Sequence, residues 1–160
     1  MTEIADFARL SRNWIYWCAL GQLHDPSVSS DCADCEILFS SDDYSVHLRH
    51  EDIWWSVDTV NDRRQRSNDT ARFSSFSLAE KYLVWIWGST ARTVLRAPIL
   101  GQKLYAEGSD PSVERTPITE GVELRSPEGR AVLGEPYATI FSHLMQKSEE
   151  DVEQMLRADL

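Results

Sequence analysis

The sequence has no long hydrophobic run and few basic side chains. Its longest strongly apolar stretch covers only residues 83–87, whereas a membrane-spanning helix needs about 20 apolar residues. Lysine and arginine number 16 against 26 acidic residues, which gives a net charge of −10. Nucleic-acid-binding surfaces are basic, and anionic lipid attracts basic segments. We therefore expect neither a nucleic acid nor a membrane as a partner.

The sequence also has few cysteines and no leader-like start. Three cysteines are an odd number, which does not suit the paired disulfide framework of a small secreted protein. Residues 1–6 have neither the basic nor the apolar region of a signal peptide. We therefore expect a cytoplasmic protein. Its 160 residues are close to the size of one domain, covering 1–160.

Charge is distributed unevenly along the chain. Residues 61–106 carry eight basic and three acidic side chains, and no acid occurs between Glu80 and Glu107. Two interpretations remain open. The acid-free segment is a buried helix that excludes carboxylates, since buried acids are rare, or it meets a partner whose polarity differs from that of the acidic flanks.

Hydrophobic patterning predicts an α+β fold in a single domain, with a mainly antiparallel sheet, a buried central helix and short N- and C-terminal helices. Alternation of apolar and polar residues favours strands, and capping residues mark helix starts. The predicted strands are residues 14–20, 36–40, 44–49, 53–60, 71–76, 122–125, 130–133 and 137–141, and the predicted loops include 21–34, 61–69 and 98–104. The predicted helices are residues 3–11 behind a Thr2 cap, 77–96 behind a Ser77–Glu80 capping box, and a C-terminal helix that begins after Ser148.

Tryptophan positions separate the expected core from the expected surface. Trp85 and Ile86 lie on the predicted core face of the central helix. Trp54 and Trp55 are neighbours on a predicted strand, so their side chains point to opposite faces of the sheet. We expect one of them in the core, and exposure of the other would indicate an interface.

A pair of cysteines followed by a pair of histidines comes close to a zinc-binding pattern. Cys32 and Cys35 are separated by two residues, as are His47 and His50, whereas zinc fingers place three to five residues between the histidines. The histidines also lie at an odd offset on a predicted strand, which directs them to opposite faces. We therefore predict no metal centre. The alternative, a metal-dependent enzyme, is testable by metal analysis.

No pattern in the sequence predicts catalysis. There is no Gly-x-Ser-x-Gly nucleophile motif, phosphate-binding loop or dinucleotide fingerprint. Cys18 lies among aromatic residues and is expected to be a buried, unreactive side chain. We therefore expect no catalytic residues, no cofactor and no enzymatic activity.

The middle of the chain resembles a bacterial immunity-protein family, the one that includes the immunity factor of the tuberculosis necrotizing toxin. The resemblance covers roughly residues 40–145, and its elements are weak singly but occur in the family's order and spacing. They are Asp43-Tyr44, Ile53-Trp54-Trp55, Phe73-Ser74-Ser75-Phe76, Glu80-Lys81-Tyr82-Leu83, Arg92, Pro98-Ile99-Leu100-Gly101 and Phe141-Ser142-His143. The Cys32–Cys35 segment and the acidic C-terminal helix are not part of the pattern.

The resemblance implies a cytoplasmic antitoxin without enzymatic activity. Such a protein binds its cognate toxin, a secreted NAD-degrading domain, in a 1:1 complex and occludes the toxin's active site. A small acidic domain suits this role, because an NAD site must hold a pyrophosphate and is therefore electropositive. The alternative is an acidic secretion chaperone or adaptor, which binds an unfolded export substrate and leaves its activity intact.

The predicted partner-binding residues are Gly101, Gln102 and Lys103, with Arg63 and Arg64 as a second region. Gly101 allows a tight turn or a close backbone approach. Gln102 presents a carboxamide with the same donors and acceptor as nicotinamide, and Lys103 places a positive charge where a toxin's catalytic carboxylate would lie. The alternative is that these three residues only end a helix. Arg63 and Arg64 either contact a partner or form a hairpin tip.

Overall fold

The computed structural model describes residues 5–160, which form five helices and one antiparallel sheet of eight strands. The strands are β1 (Ser27–Ser29), β2 (Ile37–Ser40), β3 (Ser45–Glu51), β4 (Trp54–Val60), β5 (Arg66–Phe73), β6 (Glu114–Ile118), β7 (Gly121–Ser126) and β8 (Gly129–Leu133). The helices are α1 (Ala8–Leu20), α2 (Phe76–Val94), α3 (Leu100–Ala106), α4 (Tyr137–Leu144) and α5 (Glu149–Arg157). The predicted α+β class with a mainly antiparallel sheet is confirmed, whereas the predicted Thr2 cap lies outside the described residues.

Two meanders make up the sheet, in the order β1-β2-β3-β4-β5-β8-β7-β6. The first five strands pair in sequence, and the last three pair in sequence on the other side. The two meanders join where β5 pairs with β8 through Ala71↔Leu133, Arg72↔Val132 and Phe73↔Ala131. This junction carries all the strand pairing between the two halves.

The predicted strand at residues 14–20 is wrong, because these residues belong to α1. The buried residues of α1 are Leu10, Asn13, Trp14, Trp17 and Cys18, a spacing of three and four that only a helix brings to one face. Aromatic and β-branched residues favour strands in general. Here burial of the tryptophans against the sheet and α2 outweighs that preference.

The predicted strand at residues 137–141 is also wrong, because these residues form α4. Six residues of this eight-residue helix are buried, among them Ile140, Phe141 and Leu144. A short helix that is buried on most sides loses its polar face, so its sequence cannot be told from a buried strand. Tertiary packing, and not periodicity, decides the conformation of this segment.

The buried central helix is confirmed as α2, although its start differs from the prediction. Ser75, and not Ser77, caps the helix, since its Oγ accepts a hydrogen bond from the Leu78 amide at 3.2 Å. The Ser77 hydroxyl donates to Glu149 on α5 instead. Ser148 caps α5 as predicted, because its Oγ accepts from the Asp151 amide.

Short elements account for the remaining differences. The predicted loops at 21–34 and 98–104 contain β1 and most of α3, β5 begins within the predicted loop 61–69, and β6 has no predicted counterpart. Elements of three to eight residues span too few periods to stand out in a sequence.

The helices pack against one face of the sheet, which forms the core. Phe39 of β2 contacts the rings of Trp14 and Trp87, and Phe73 of β5 contacts those of Tyr82 and Phe141. The alternate residues of the same strands point to the other face, which no helix of residues 5–160 covers. None of the five helices is long and apolar enough to cross a membrane.

Candidate partner-binding surface

The predicted partner-binding segment lies on a helix and not on a loop. Residues 95–99, which include Pro98, connect α2 to α3, and α3 begins at Leu100. The tight turn expected at Gly101 is therefore absent. Gln102 and Lys103 are both exposed on α3, as contact with a partner requires.

Gly101 lies on the side of α3 that faces Trp85 and Ile140. A Cβ atom at this position would lie 3.4 Å from Ile140 Cδ1 and 3.7 Å from Trp85 Cζ2. Both distances are ordinary van der Waals contacts, so the glycine is in contact with the core of α2 and α4. Trp85 is buried as predicted, with 3% of its surface exposed.

Exposed apolar side chains concentrate around α3. The large apolar side chains exposed among residues 5–160 are Ile15, Ile53, Val94, Leu95, Ile99, Tyr105, Tyr137 and Leu160. Five of these eight lie at the end of α2, in or beside α3, or at the start of α4. Ile99 and Tyr137 line one groove together with Gly101. We refer to Ile99, Gln102, Lys103, Tyr105 and Tyr137 as the α3 surface.

Arg92 fixes the segment that leads into α3. Its buried guanidinium donates hydrogen bonds to the carbonyl oxygens of Pro98 at 2.9 Å, Leu156 at 2.7 Å and Ala158 at 2.8 Å. One side chain of α2 therefore holds both the start of α3 and the end of α5. The α3 surface is mounted on a rigid support, which favours binding without a large loss of entropy.

Arg63 and Arg64 lie elsewhere, at the tip of the β4–β5 hairpin. Both side chains are exposed, and the turn is held by the Arg64 amide, which donates to the Asn61 carbonyl at 3.0 Å. This is the hairpin tip considered in the sequence analysis. The structure does not bring these two arginines into the α3 surface, which is built on α3, the residue before it and α4.

A network of paired charges occupies the uncovered side of the sheet. Asp58, with 1% of its surface exposed, accepts hydrogen bonds from Arg49 Nε at 2.8 Å, Arg66 Nη2 at 2.7 Å and the Asp69 amide at 2.8 Å. Burial by itself raises the pKa of Asp58, but these hydrogen bonds outweigh it and hold the pKa below its ordinary value. The carboxylate is therefore ionised and fully paired.

Trp54 and Trp55 point to opposite faces, as predicted. Trp55 is buried in the core. Trp54 lies on the uncovered side, with the guanidinium carbons of Arg72 and Arg130 at 5.3 and 4.9 Å from its ring centroid. Both are cation–π distances, so Trp54 is partly covered by its own neighbours. We refer to Arg49, Trp54, Asp58, Arg66, Arg72 and Arg130 as the open sheet face.

Cys32 and Cys35 form a disulfide, which the odd cysteine count did not suggest. His47 lies beside it, with Nδ1 at 3.4 Å from Cys32 Sγ. His50 points to the other face of β3 and stacks on Trp55, with ring centroids 4.0 Å apart. The two histidines are therefore separated as their odd offset predicts.

The Cys18 thiol and two tyrosines of the main cavity are buried and unreactive. Burial raises the pKa of the Cys18 thiol to about 12, which keeps it protonated. A cavity of about 460 Å³ lies between α1, α2 and the sheet, and its lining consists of aromatic, aliphatic and threonine side chains together with Cys18. Burial also raises the pKa of the lining residues Tyr44 and Tyr82. None of these groups exchanges protons readily near neutral pH.

Comparisons with known proteins identify a related fold. No family model matches the sequence, and no curated protein is significantly similar to it. Among solved structures, the chain is similar to Rv3902c from M. tuberculosis, with a TM-score of 0.71 and 14% sequence identity. The match covers 93% of this chain and 87% of that chain. At this identity, the similarity shows a shared fold.

Proposed function

We propose that this protein is an immunity protein that binds a secreted, NAD-degrading toxin domain one to one in the cytoplasm and covers its active site. The protein itself has no enzymatic activity in this proposal. The observation that carries the proposal is the concentration of exposed apolar side chains around Gln102 and Lys103. The α3 surface is the proposed contact with the toxin.

The composition of the α3 surface suits a protein interface. Ile99, Tyr105 and Tyr137 are 57%, 50% and 45% exposed, and tyrosine is among the residues that contribute most to binding energy. Gln102 and Lys103 add polar groups next to this apolar area. An apolar centre with polar groups at its rim is the usual anatomy of a specific interface.

The two polar residues match the chemistry of an NAD-cleaving site. The carboxamide of Gln102 offers the donors and acceptor of the nicotinamide amide, so a pocket for nicotinamide accommodates it. Lys103 carries a positive charge that suits a catalytic carboxylate of the toxin. Both side chains are exposed on α3, where consecutive residues point about 100° apart, so each contacts its own part of the toxin site in this proposal.

Charge and resemblance support the same partner. A net charge of −10 favours approach to an electropositive site that holds the pyrophosphate of NAD. The sequence resembles the immunity-protein family over residues 40–145, and the chain shares its fold with a protein of M. tuberculosis.

The test is co-purification with the protein encoded next to it, followed by an assay of NAD consumption. The expected result is a 1:1 complex in which NAD consumption is abolished. The double variant Gln102→Ala with Lys103→Ala should keep its fold and inhibit at least tenfold less strongly, which corresponds to about 1.4 kcal/mol.

The chain offers a matched control for this variant. Gln146 and Lys147 are the same two residue types, are also adjacent and exposed, and lie outside the α3 surface. Replacing both with alanine should leave inhibition unchanged. A complex in which the toxin stays active would contradict the proposal and favour the secretion chaperone. Full inhibition by the Gln102 and Lys103 variant would show that α3 is not the contact.

A further inference from the structure

Four potential metal ligands converge where the β1–β2 loop meets β3. They are the sulfurs of Cys32 and Cys35, a carboxylate oxygen of Asp34 and a ring nitrogen of His47, and all lie within 4.8 Å of one another. Three come from one short loop, and His47 comes from the strand beneath it. Nothing in the proposed function uses this cluster.

The distances within the cluster match those around a tetrahedral zinc ion. Cys32 Sγ lies 3.3 Å from Asp34 Oδ1 and 3.4 Å from His47 Nδ1, and the last two atoms lie 3.7 Å apart. Zinc bonds of about 2.0–2.3 Å at tetrahedral angles separate such ligands by about 3.4–3.6 Å. Three of the four ligand atoms are therefore already near the positions that a zinc ion requires.

The second oxygen of Asp34 is held by Arg66. Arg66 Nη1 lies 2.9 Å from Asp34 Oδ2, which leaves Oδ1 directed at Cys32 and His47. Partners of this kind orient metal ligands in many proteins. Two thiolates, one carboxylate and Zn²⁺ sum to a single negative charge, and it lies beside the Arg66 guanidinium, which also pairs with Asp58. The four side chains thus supply a complete tetrahedral ligand set.

We propose that Cys32, Asp34, Cys35 and His47 bind one zinc ion when the Cys32–Cys35 disulfide is reduced. A thiol reductant of the glutathione or thioredoxin class supplies two electrons and two protons, so that the S–S bond breaks, two thiols form and the reductant becomes a disulfide. Zinc then displaces the two thiol protons, and both thiolates coordinate the metal. The disulfide and the zinc site exclude each other, because each uses both sulfurs.

This ligand set differs from the one that the sequence analysis rejected. The sequence pattern pairs the cysteines with His47 and His50, whereas His50 faces away from them and stacks on Trp55. Asp34, between the two cysteines, replaces His50 as the fourth ligand. Carboxylate oxygen is an accepted zinc ligand, and the two-residue spacing of the cysteines is usual for zinc.

The test is a titration of the reduced, full-length protein with Co²⁺, which reports tetrahedral thiolate coordination by its visible and near-ultraviolet absorption. We expect one equivalent of Co²⁺ to bind, Zn²⁺ to displace it, and zinc to protect Cys32 and Cys35 from alkylation, while buried Cys18 stays unreactive with or without zinc. The oxidised protein should bind neither ion. Absence of the cobalt spectrum in the reduced protein, or equal binding by the oxidised protein, would overturn the proposal.

Single variants assign the ligands. Cys32→Ser, His47→Ala and Asp34→Asn should each weaken zinc binding by at least about tenfold, with the fold checked by circular dichroism. His50→Gln is the matched control, since it removes a histidine from the same strand, and it should bind zinc like the original protein. Unchanged affinity in either His47→Ala or Asp34→Asn would contradict the proposed site. The comparison of reduced with oxidised protein remains decisive even where a variant fails to fold.

Discussion

The α3 surface and the open sheet face are both accessible to a partner, but their side chains differ in what they already contact. On the open sheet face, Asp58 pairs with Arg49 and Arg66, and two further arginines flank Trp54. On the α3 surface, Ile99 and Tyr105 leave half or more of their area in water. The charged groups of the open sheet face are therefore already paired within the protein, whereas the apolar side chains of the α3 surface are still exposed to water.

This difference bears on where a partner gains binding energy. Covering exposed apolar area contributes about 25 cal/mol per Å². Covering charges that are already paired requires their desolvation and returns little. We therefore expect the open sheet face to contribute mainly to the stability of the fold, and the α3 surface mainly to the proposed association. Substitutions in the two regions should separate these effects.

The largest expected effect comes from Trp85→Ala, beneath the α3 surface. Removing this buried ring should lower the free energy of unfolding by about 3–5 kcal/mol, a large share of a typical total of about 5–15 kcal/mol. Urea denaturation measures the loss. Trp54→Ala on the open sheet face is the control and should cost clearly less. A cost below about 1 kcal/mol for Trp85→Ala would mean that this ring does not pack in the core.

The next largest effect is expected from Asp58→Ala at the centre of the open sheet face. The change leaves Arg49 and Arg66 without their shared carboxylate, and breaking a buried ion pair costs about 3–5 kcal/mol. We expect about 2–3 kcal/mol, because both arginine side chains remain partly exposed, at 20% and 30%, and regain water. Inhibition of the toxin by the folded variant should be unchanged. Weakened inhibition would place the contact on this face.

The same carboxylate predicts a dependence on pH. The pKa of Asp58 is lower in the folded protein than its ordinary value, so ionised Asp58 stabilises the fold above its unfolded pKa of about 3.9. This contribution decreases as the pH falls through the folded pKa. The stability difference between the original protein and Asp58→Ala should therefore shrink below about pH 4. Denaturation curves between neutral and acidic pH measure it, and a constant difference would contradict the assignment.

The smallest effect is expected from Arg63→Ala combined with Arg64→Ala. Both side chains are exposed at a hairpin tip, and surface changes of this kind alter stability by less than about 0.5 kcal/mol. Inhibition should also stay unchanged if the α3 surface is the contact. A tenfold loss of inhibition would show that the toxin contacts the hairpin tip, and would contradict the α3 surface as the contact.

The fold could be predicted from the sequence where one physical pattern dominates. Alternation along residues 44–49 and 53–60 predicts β3 and β4, and the Ser148 cap predicts the start of α5. Prediction fails at residues 14–20 and 137–141, where aromatic and apolar residues suit both conformations and tertiary packing selects the helix. The fold class can therefore be predicted from the sequence, but whether several segments form helices or strands cannot.

The candidate sites show the same limit. Gln102 and Lys103 could be identified by their chemistry, but not as members of a helix, and the groove that Gly101 shares with the distant Tyr137 could not be foreseen. Asp34 could not be distinguished from other loop acids, because its proximity to His47 arises from the pairing of β2 with β3. The register of the sheet decides which distant residues come close together, and this register cannot be predicted from a single sequence.

The junction between β5 and β8 has a consequence for synthesis on the ribosome. Residues 66–73 emerge well before residues 129–133, so the inner edge of β5 has no partner while the intervening chain is made. An unpaired edge strand is a template for association with other chains, and contacts between distant segments form late. Chains truncated before Gly129 should therefore aggregate, since they lack the strand that protects this edge. Molecular chaperones that bind nascent chains would act during this interval.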